Sequence, residues 1–183
     1  LFSDIKGFTA IAEKLSPVEL VEGLNSYHSA MYEVVDSHGG VLDKFMGDGI
    51  MVVFIPRGDR DNSALRSVRC AIDMTERISN LQEEWQERGL GELVVRIGVQ
   101  SGEVISGSIG ASMRRDYTVL GDSVNVASRL EGQAPDGGIL IGDQTYAQVA
   151  SHIEADVLEP IAVKNRSEPV QCYVVTGEKP PID

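Results

Sequence analysis

Two apolar runs, residues 41–46 and 50–55, flank Gly47-Asp48-Gly49. The flanks are rich in Val, Ile and Phe, and glycine tolerates the positive φ that a tight reversal needs, so the stretch predicts a β-hairpin with Asp48 at its tip. A hairpin fixes two neighbouring strands at once, and no other stretch of the chain narrows the choice of folds as much. Lys44 lies four residues before Asp48, and the turn breaks the alternation that would otherwise place both on one side. By itself this is either an ordinary hairpin with a solvated Asp and Lys or half of a site.

A second carboxylate gives the hairpin its meaning. The chain opens Leu1-Phe2-Ser3-Asp4-Ile5-Lys6-Gly7-Phe8-Thr9, a short apolar strand ending in Asp4, then a glycine turn into a helix. Two carboxylates at strand ends suit hard divalent cations, which favour oxygen ligands and take phosphates as co-ligands. Amides at the start of the following helix suit phosphate. Asp4 and Asp48 therefore suggest a two-metal site for a polyphosphate.

The 183 residues fit one domain with a sizeable core. A net charge of −12 argues against a nucleic-acid surface or an anionic-membrane surface, both of which require excess Lys and Arg. It leaves room for one nucleotide held through metals. Cys70 and Cys172 match no metal spacing and read as free thiols of a reducing compartment. No apolar run approaches the about 18 residues of a membrane span and no signal peptide is visible, so this domain is expected to make no direct membrane contact and to be cytoplasmic, within a parent protein that is either soluble or membrane-associated. The chain begins inside a strand, which suggests a domain cut from a longer protein.

In order, the pattern predicts a short helix to residue 15, then a helix begun by Ser16-Pro17-Val18-Glu19 and ended by Gly39-Gly40. A second long helix spans about 63–88. Strands follow at 93–100 and 102–110, the second paired with the first. A polar excursion at 111–116 leads into a strand at 117–120, and a helix opens at Gly121 with Asp122 or Ser123 as its cap. Strands at 139–141, 161–163 and 170–175 and a helix at 143–150 complete it. The fold class is α+β, an α/β sandwich with a ferredoxin-like βαββαβ core, additional C-terminal strands and helices, and helices on one face of the sheet.

Other residues offer chemistry with an ordinary alternative beside each. Asn125 and Arg129 are four apart on one helix and share a face, as a ribose-orienting amide and a phosphate-facing cation or as a cap and a solvated charge. Lys164 is either a phosphate ligand or a surface lysine, and Arg114 and Arg115 either contact phosphate or a partner chain or are solvated. No nucleophile triad, histidine metal spacing or Walker loop is present.

Taken together, the motifs Phe2 to Thr9, Lys44-Phe45-Met46-Gly47-Asp48, Tyr117 to Arg129 and Val163-Lys164 resemble the catalytic domain of class III adenylyl and guanylyl cyclases over nearly the whole of 1–183. The resemblance implies that Asp4 and Asp48 hold two Mg²⁺ or Mn²⁺ ions and that Lys44 and Thr118 recognise the base. It implies that Asn125 orients the ribose, Arg129 faces the reacting phosphate and Lys164 contacts the terminal phosphates. Ile5, Lys6, Gly7, Phe8 and Thr9 match the triphosphate loop. In the family, the sites form at the interface of a head-to-tail dimer, which here implies a homodimer with two shared sites, and the excursion at 111–116 is the candidate dimer arm. The implied reaction is ATP to 3′,5′-cyclic AMP and pyrophosphate. Lys44 is only a donor and suits adenine N1, while the Thr118 hydroxyl can accept from N6. Many adenylyl cyclases carry Asp where this chain has Thr118. That departure points to a lysine/threonine subgroup, mostly bacterial, which adds bicarbonate as a candidate activator and loosens the selection of ATP over GTP. The alternatives are a nucleotide-binding regulatory domain and a guanylyl cyclase. A diguanylate cyclase lacks support, because its Gly-Gly-Asp/Glu-Glu-Phe motif is absent.

Overall fold

A computed structural model describes residues 1–111, 114–163 and 168–180. Its opening unit is β1 (Phe2–Ile5), α1 (Phe8–Ala12), α2 (Pro17–Ser37), the hairpin β2 (Val41–Met46) and β3 (Gly49–Val53), α3 (Ser63–Glu87) and β4 (Val95–Val99). The β2-β3-β1-β4 order, antiparallel throughout, is the expected ferredoxin-like centre. Then come β5 (Ile105–Ala111), β6 (Arg114–Leu120), α4 (Asp122–Gln133), β7 (Ile139–Gly142), α5 (Asp143–Val149), β8 (Ile153–Ile161) and β9 (Val170–Glu178). β7, β9 and β8 extend the sheet beyond β4, giving the order β2-β3-β1-β4-β7-β9-β8, in which β4 and β7 run parallel.

Local chemistry sets the long helices. Ser16 Oγ accepts from the Glu19 amide at 3.3 Å while Glu19 Oε2 accepts from the Ser16 amide at 2.9 Å, a closed capping box with Pro17 in the first turn. Tyr27, Ala30, Met31 and Val35 recur every three to four residues along α2 and are buried against the sheet with Val68, Ala71 and Met74 of α3. Asn62 Oδ1 caps α3 through the Leu65 amide at 2.9 Å.

The other face differs from expectation. α2, α3 and α5 cover one side, but α4 packs on the opposite side: Val126 and Leu130 meet Leu140, Val170 and Cys172 there, while Ile139 and Ile141 point to the α2–α3 side. The run Ile139-Leu140-Ile141 is apolar at every position, the pattern of a strand buried on both faces. Gly98 makes this packing possible. A Cβ at Gly98 would stand 2.2 Å from the Glu131 amide nitrogen and 2.3 Å from the Ala127 carbonyl oxygen, so α4 lies almost directly on β4.

Residues 102–110 do not form a strand paired with β4. Residues 101–104 are a loop, held by the Ser101 amide on Thr145 Oγ1 at 2.8 Å and Ser123 Oγ on the Glu103 carbonyl at 3.2 Å. β5 then pairs with β6 as a separate two-stranded ribbon. Its side chains Ile105 and Tyr117 are 78% and 73% exposed. The N-cap of α4 is Gly121, which has no side chain to cap with; Asp122 and Ser123 lie inside the first turn, where Ser123 Oγ donates to the Glu103 carbonyl. β8 begins well before the strand expected at 161–163. Both cysteines are free and buried. Among the described residues no helix is long and apolar enough to cross a membrane.

Candidate active site

The two carboxylates predicted from the sequence meet. Gly47 takes φ 68 at the β2–β3 turn, and this reversal brings Asp48 to the end of β1, where its Oδ2 accepts from the Ile5 amide at 3.1 Å. Asp4 lies beside it. Burial pushes the Asp4 carboxyl up to about 7, reinforced by a hydrogen bond from it to Asp48 and by the negative charges of Asp48 and Glu131, against a smaller opposing pull from the Ile5 amide. Two carboxylates this close repel each other, and a divalent cation between them relieves that repulsion. An all-oxygen donor pair suits Mg²⁺ or Mn²⁺. Among the described residues no group of three or more His, Cys, Asp or Glu is arranged to hold a metal, so a cation here would complete its shell with backbone carbonyls, water and substrate phosphate.

Sequence reasoning missed three neighbours of this pair, Arg96, Glu131 and His28. Arg96 on β4 is the cross-strand partner of Asp4. Its Nη2 is 3.6 Å from Glu131 Oε1, and its Nη1 donates to the Gly132 carbonyl at 3.4 Å. Burial raises the Glu131 carboxyl above its ordinary range, with Arg96 pulling it back and Asp48 adding to the rise. The β1–β4 register is the signal that locates Arg96, and it lies between segments about ninety residues apart, beyond any local periodicity. His28 of α2 also approaches the hairpin. It stacks on Phe45 at 4.1 Å between centroids with 24° between planes, and burial pushes its imidazole down.

The loop after β1 is only partly available to a ligand. The Ile5 amide is bound to Asp48 and the Lys6 amide to the Val94 carbonyl at 2.8 Å. The Lys6 ammonium pairs with Asp136. Gly7, at φ 69, turns the chain into α1, and the amides of Gly7, Phe8 and Thr9 precede the first intrahelical bonds.

Lys44 and Thr118 also come together. The β2–β3 register runs Leu42↔Val52 then Lys44↔Met51, leaving Asp43 as an extra, unpaired residue. This β-bulge re-aims successive side chains. The Lys44 ammonium lies 3.3 Å from Asp43 Oδ2, and Thr118 Oγ1 of β6 donates to the same oxygen at 2.9 Å. The Asp43 side chain is 5% exposed.

Asn125 and Arg129, four apart on α4, are both exposed, while the adjacent Val126 and Leu130 are buried. No hydrogen bond or ion pair among the described residues joins either to Asp4, Asp48 or Lys44. Lys164 lies outside the described residues, as do the side chains of Arg114 and Arg115.

Known proteins resemble the chain along most of its length. The family described as "Adenylate and Guanylate cyclase catalytic domain" matches residues 1–177. Adenylate cyclase 1 of Rhizobium meliloti (strain 1021) is 35% identical over 179 residues, which are 97% of this chain and 27% of that protein. The chain thus spans about a quarter of that relative's length. The crystal structure of the adenylyl cyclase CyaB from P. aeruginosa superposes with a TM-score of 0.92 at 36% identity, covering 100% of this chain and 94% of that one. The crystal structure of the guanylyl cyclase Cya2 does so with 0.91 at 34%, covering 98% and 91%. Backbone similarity of this degree to both leaves the choice of base to side chains.

Proposed function

The chain belongs to the adenylate and guanylate cyclase catalytic-domain family, and on that premise we propose that it converts ATP to 3′,5′-cyclic AMP and pyrophosphate. The observation that carries this reading is the meeting of Asp4 and Asp48, with Asp48 held on the Ile5 amide at the end of the strand that carries Asp4. Bound at that pair, two Mg²⁺ or Mn²⁺ ions would make the ribose 3′-hydroxyl more acidic and neutralise the triphosphate. The 3′-oxygen, having given its proton to water, attacks the α-phosphorus as the bond from that phosphorus to the α,β-bridging oxygen breaks and pyrophosphate leaves with that oxygen.

The remaining roles fall to the chain's own groups. Lys44 donates to adenine N1 and the Thr118 hydroxyl accepts from N6. Asn125 holds the ribose in a near-attack arrangement, and Arg129 stabilises charge building on the phosphoryl oxygens. The β- and γ-phosphates fall to Lys164 and to the amides of Gly7, Phe8 and Thr9, which donate no hydrogen bond among the described residues. Asn125 and Arg129 are exposed on α4 and, among the described residues, make no hydrogen bond or ion pair to Asp4 or Asp48, which supports sites shared across a homodimer: one copy supplies Asp4 and Asp48, the other Lys44, Thr118, Asn125 and Arg129. A two-fold contact then makes two equivalent sites. The exposed ribbon of β5 and β6 supplies apolar surface for that contact. A guanylyl cyclase is the second reading, favoured by the likeness to Cya2, since Lys44 can also donate to guanine O6.

Mixing tests the shared site. Asp48→Ala and Arg129→Ala are each expected to be inactive alone, and an equimolar mixture recovers up to roughly a quarter of wild-type activity, because half the dimers are mixed and each rebuilds one of two sites. No recovery from a mixture shown to exchange subunits overturns the shared-site model.

A further inference from the structure

We propose that Asp43 is the residue that makes this site choose ATP, by fixing which way the Thr118 hydroxyl points; this rests on the reading of Lys44 and Thr118 as the base-facing pair. A free threonine hydroxyl discriminates poorly. It carries one O–H donor and two acceptor lone pairs, and rotation presents either to a ligand. It can accept from the N6 amine of adenine or donate to O6 of guanine. Asp43 removes that freedom. Its ionised carboxylate is only an acceptor, so the Thr118 proton is committed to Oδ2 at 2.9 Å and lone pairs alone face outward. An outward acceptor matches the adenine amine and confronts the lone pairs of guanine O6.

The same oxygen holds the Lys44 ammonium at 3.3 Å. Lys44 is thereby drawn to the side of Thr118 while two of its three protons remain free to donate. One carboxylate thus sets an acceptor and a donor next to each other, the complement of the adenine N6–N1 edge. The bulge is the built element behind this. An unbulged strand would send Asp43 and Lys44 to opposite faces, whereas with the extra residue at Asp43 one Asp43 oxygen meets both the Lys44 ammonium and the Thr118 hydroxyl. With its side chain 5% exposed, Asp43 has little water to compete for the hydroxyl. Asp43 contacts no reacting atom; it is a positioning residue that acts through Thr118 and Lys44.

The test measures kcat/KM for ATP and for GTP with Mn²⁺ in the wild type, Asp43→Asn, Thr118→Val and the double variant. An asparagine in place of Asp43 is nearly isosteric, yet its amide can donate and so release the threonine proton. Asp43→Asn is expected to lower the ATP-to-GTP preference by about tenfold, the effect of one well-formed hydrogen bond. In the Thr118→Val background Asp43→Asn should shift the preference less than it does in the wild type, since the share that acts through the Thr118 hydroxyl is gone and only the share that acts through Lys44 remains. The preference is a ratio taken on one folded population, so partial loss of folded protein cancels. If Asp43→Asn yields no folded protein, Asp43→Ser replaces it with the same expectation. A preference unchanged within twofold in the Asp43 variant but shifted in Thr118→Val overturns the role of Asp43 and leaves the base-facing pair standing. If neither Thr118→Val nor Lys44→Ala moves the preference, the pair itself is misassigned and the proposal falls with it.

Discussion

Replacing Asp4 by Asn should stabilise the metal-free protein at alkaline pH, a reversal of what removing a charged site residue usually does. The carboxyl is displaced from an ordinary value of 3.8 to about 7. At about 1.36 kcal/mol per pH unit, this sets a ceiling of about 4 kcal/mol on the cost of ionising Asp4 in the folded state at pH 8. Asp4 is only partly buried, and solvent screening reduces this to about 1–2 kcal/mol. For a domain of this length that is about 2–8 °C in melting temperature. The sign follows from the direction of displacement. A carboxyl raised in the folded state stabilises fully below its unfolded value and loses that contribution as pH rises through its folded value, here between about pH 4 and about pH 7. Asparagine cannot ionise, and its amide can replace the protonated carboxyl as the donor to Asp48. The assay is thermal unfolding of both proteins in chelator at pH 8 and pH 5.5. The variant is expected to melt higher at pH 8, with the gap falling by about half at pH 5.5. Mn²⁺ should raise the melting temperature of the wild type and leave the variant nearly unmoved. A variant that melts below the wild type in chelator at pH 8, or a gap that does not shrink in acid, refutes the reasoning.

Two packing predictions follow. Gly98→Ala places a methyl 2.2 Å from the Glu131 amide nitrogen, so α4 must lift from β4; a stability loss of about 3 kcal/mol or more is expected by denaturant titration. The surviving folded fraction should also turn over more slowly, because α4 carries Asn125 and Arg129. Leu130→Ala empties a fully buried position between α4 and the sheet, and urea unfolding should register a loss of about 2–5 kcal/mol.

Much of the frame was legible because its determinants are local. Ser16, Pro17 and Glu19 announce α2 within four residues, and Gly47-Asp48-Gly49 announces the hairpin and places Asp48 at its tip. What stayed hidden depends on pairings between distant segments. The bulge at Asp43 is a mismatch of register between β2 and β3, to which the alternation of either strand alone is blind. Residues 105–111 alternate as any half-buried strand does, and only their pairing with β6 shows that they leave the main sheet. The apolar run at 139–141 carried the sign that both faces of the sheet are covered, and Gly98 the sign of a close helix, yet neither says which helix. Arg96 and Glu131 gain their meaning from standing beside Asp4, a fact of the β1–β4 register and of α4 packing. The Asp43 link from Lys44 to Thr118 spans 75 residues and joins the hairpin to the ribbon.

Product analysis tests the central claim most directly. The purified domain is incubated with ATP or GTP and Mn²⁺, and the nucleotides are separated and identified. The account predicts cyclic AMP and pyrophosphate from ATP, with little cyclic GMP from GTP. Cyclic GMP in comparable amount would contradict the base assignment, and no cyclic nucleotide from a dimer that binds ATP would contradict the assignment of the reaction to this chain.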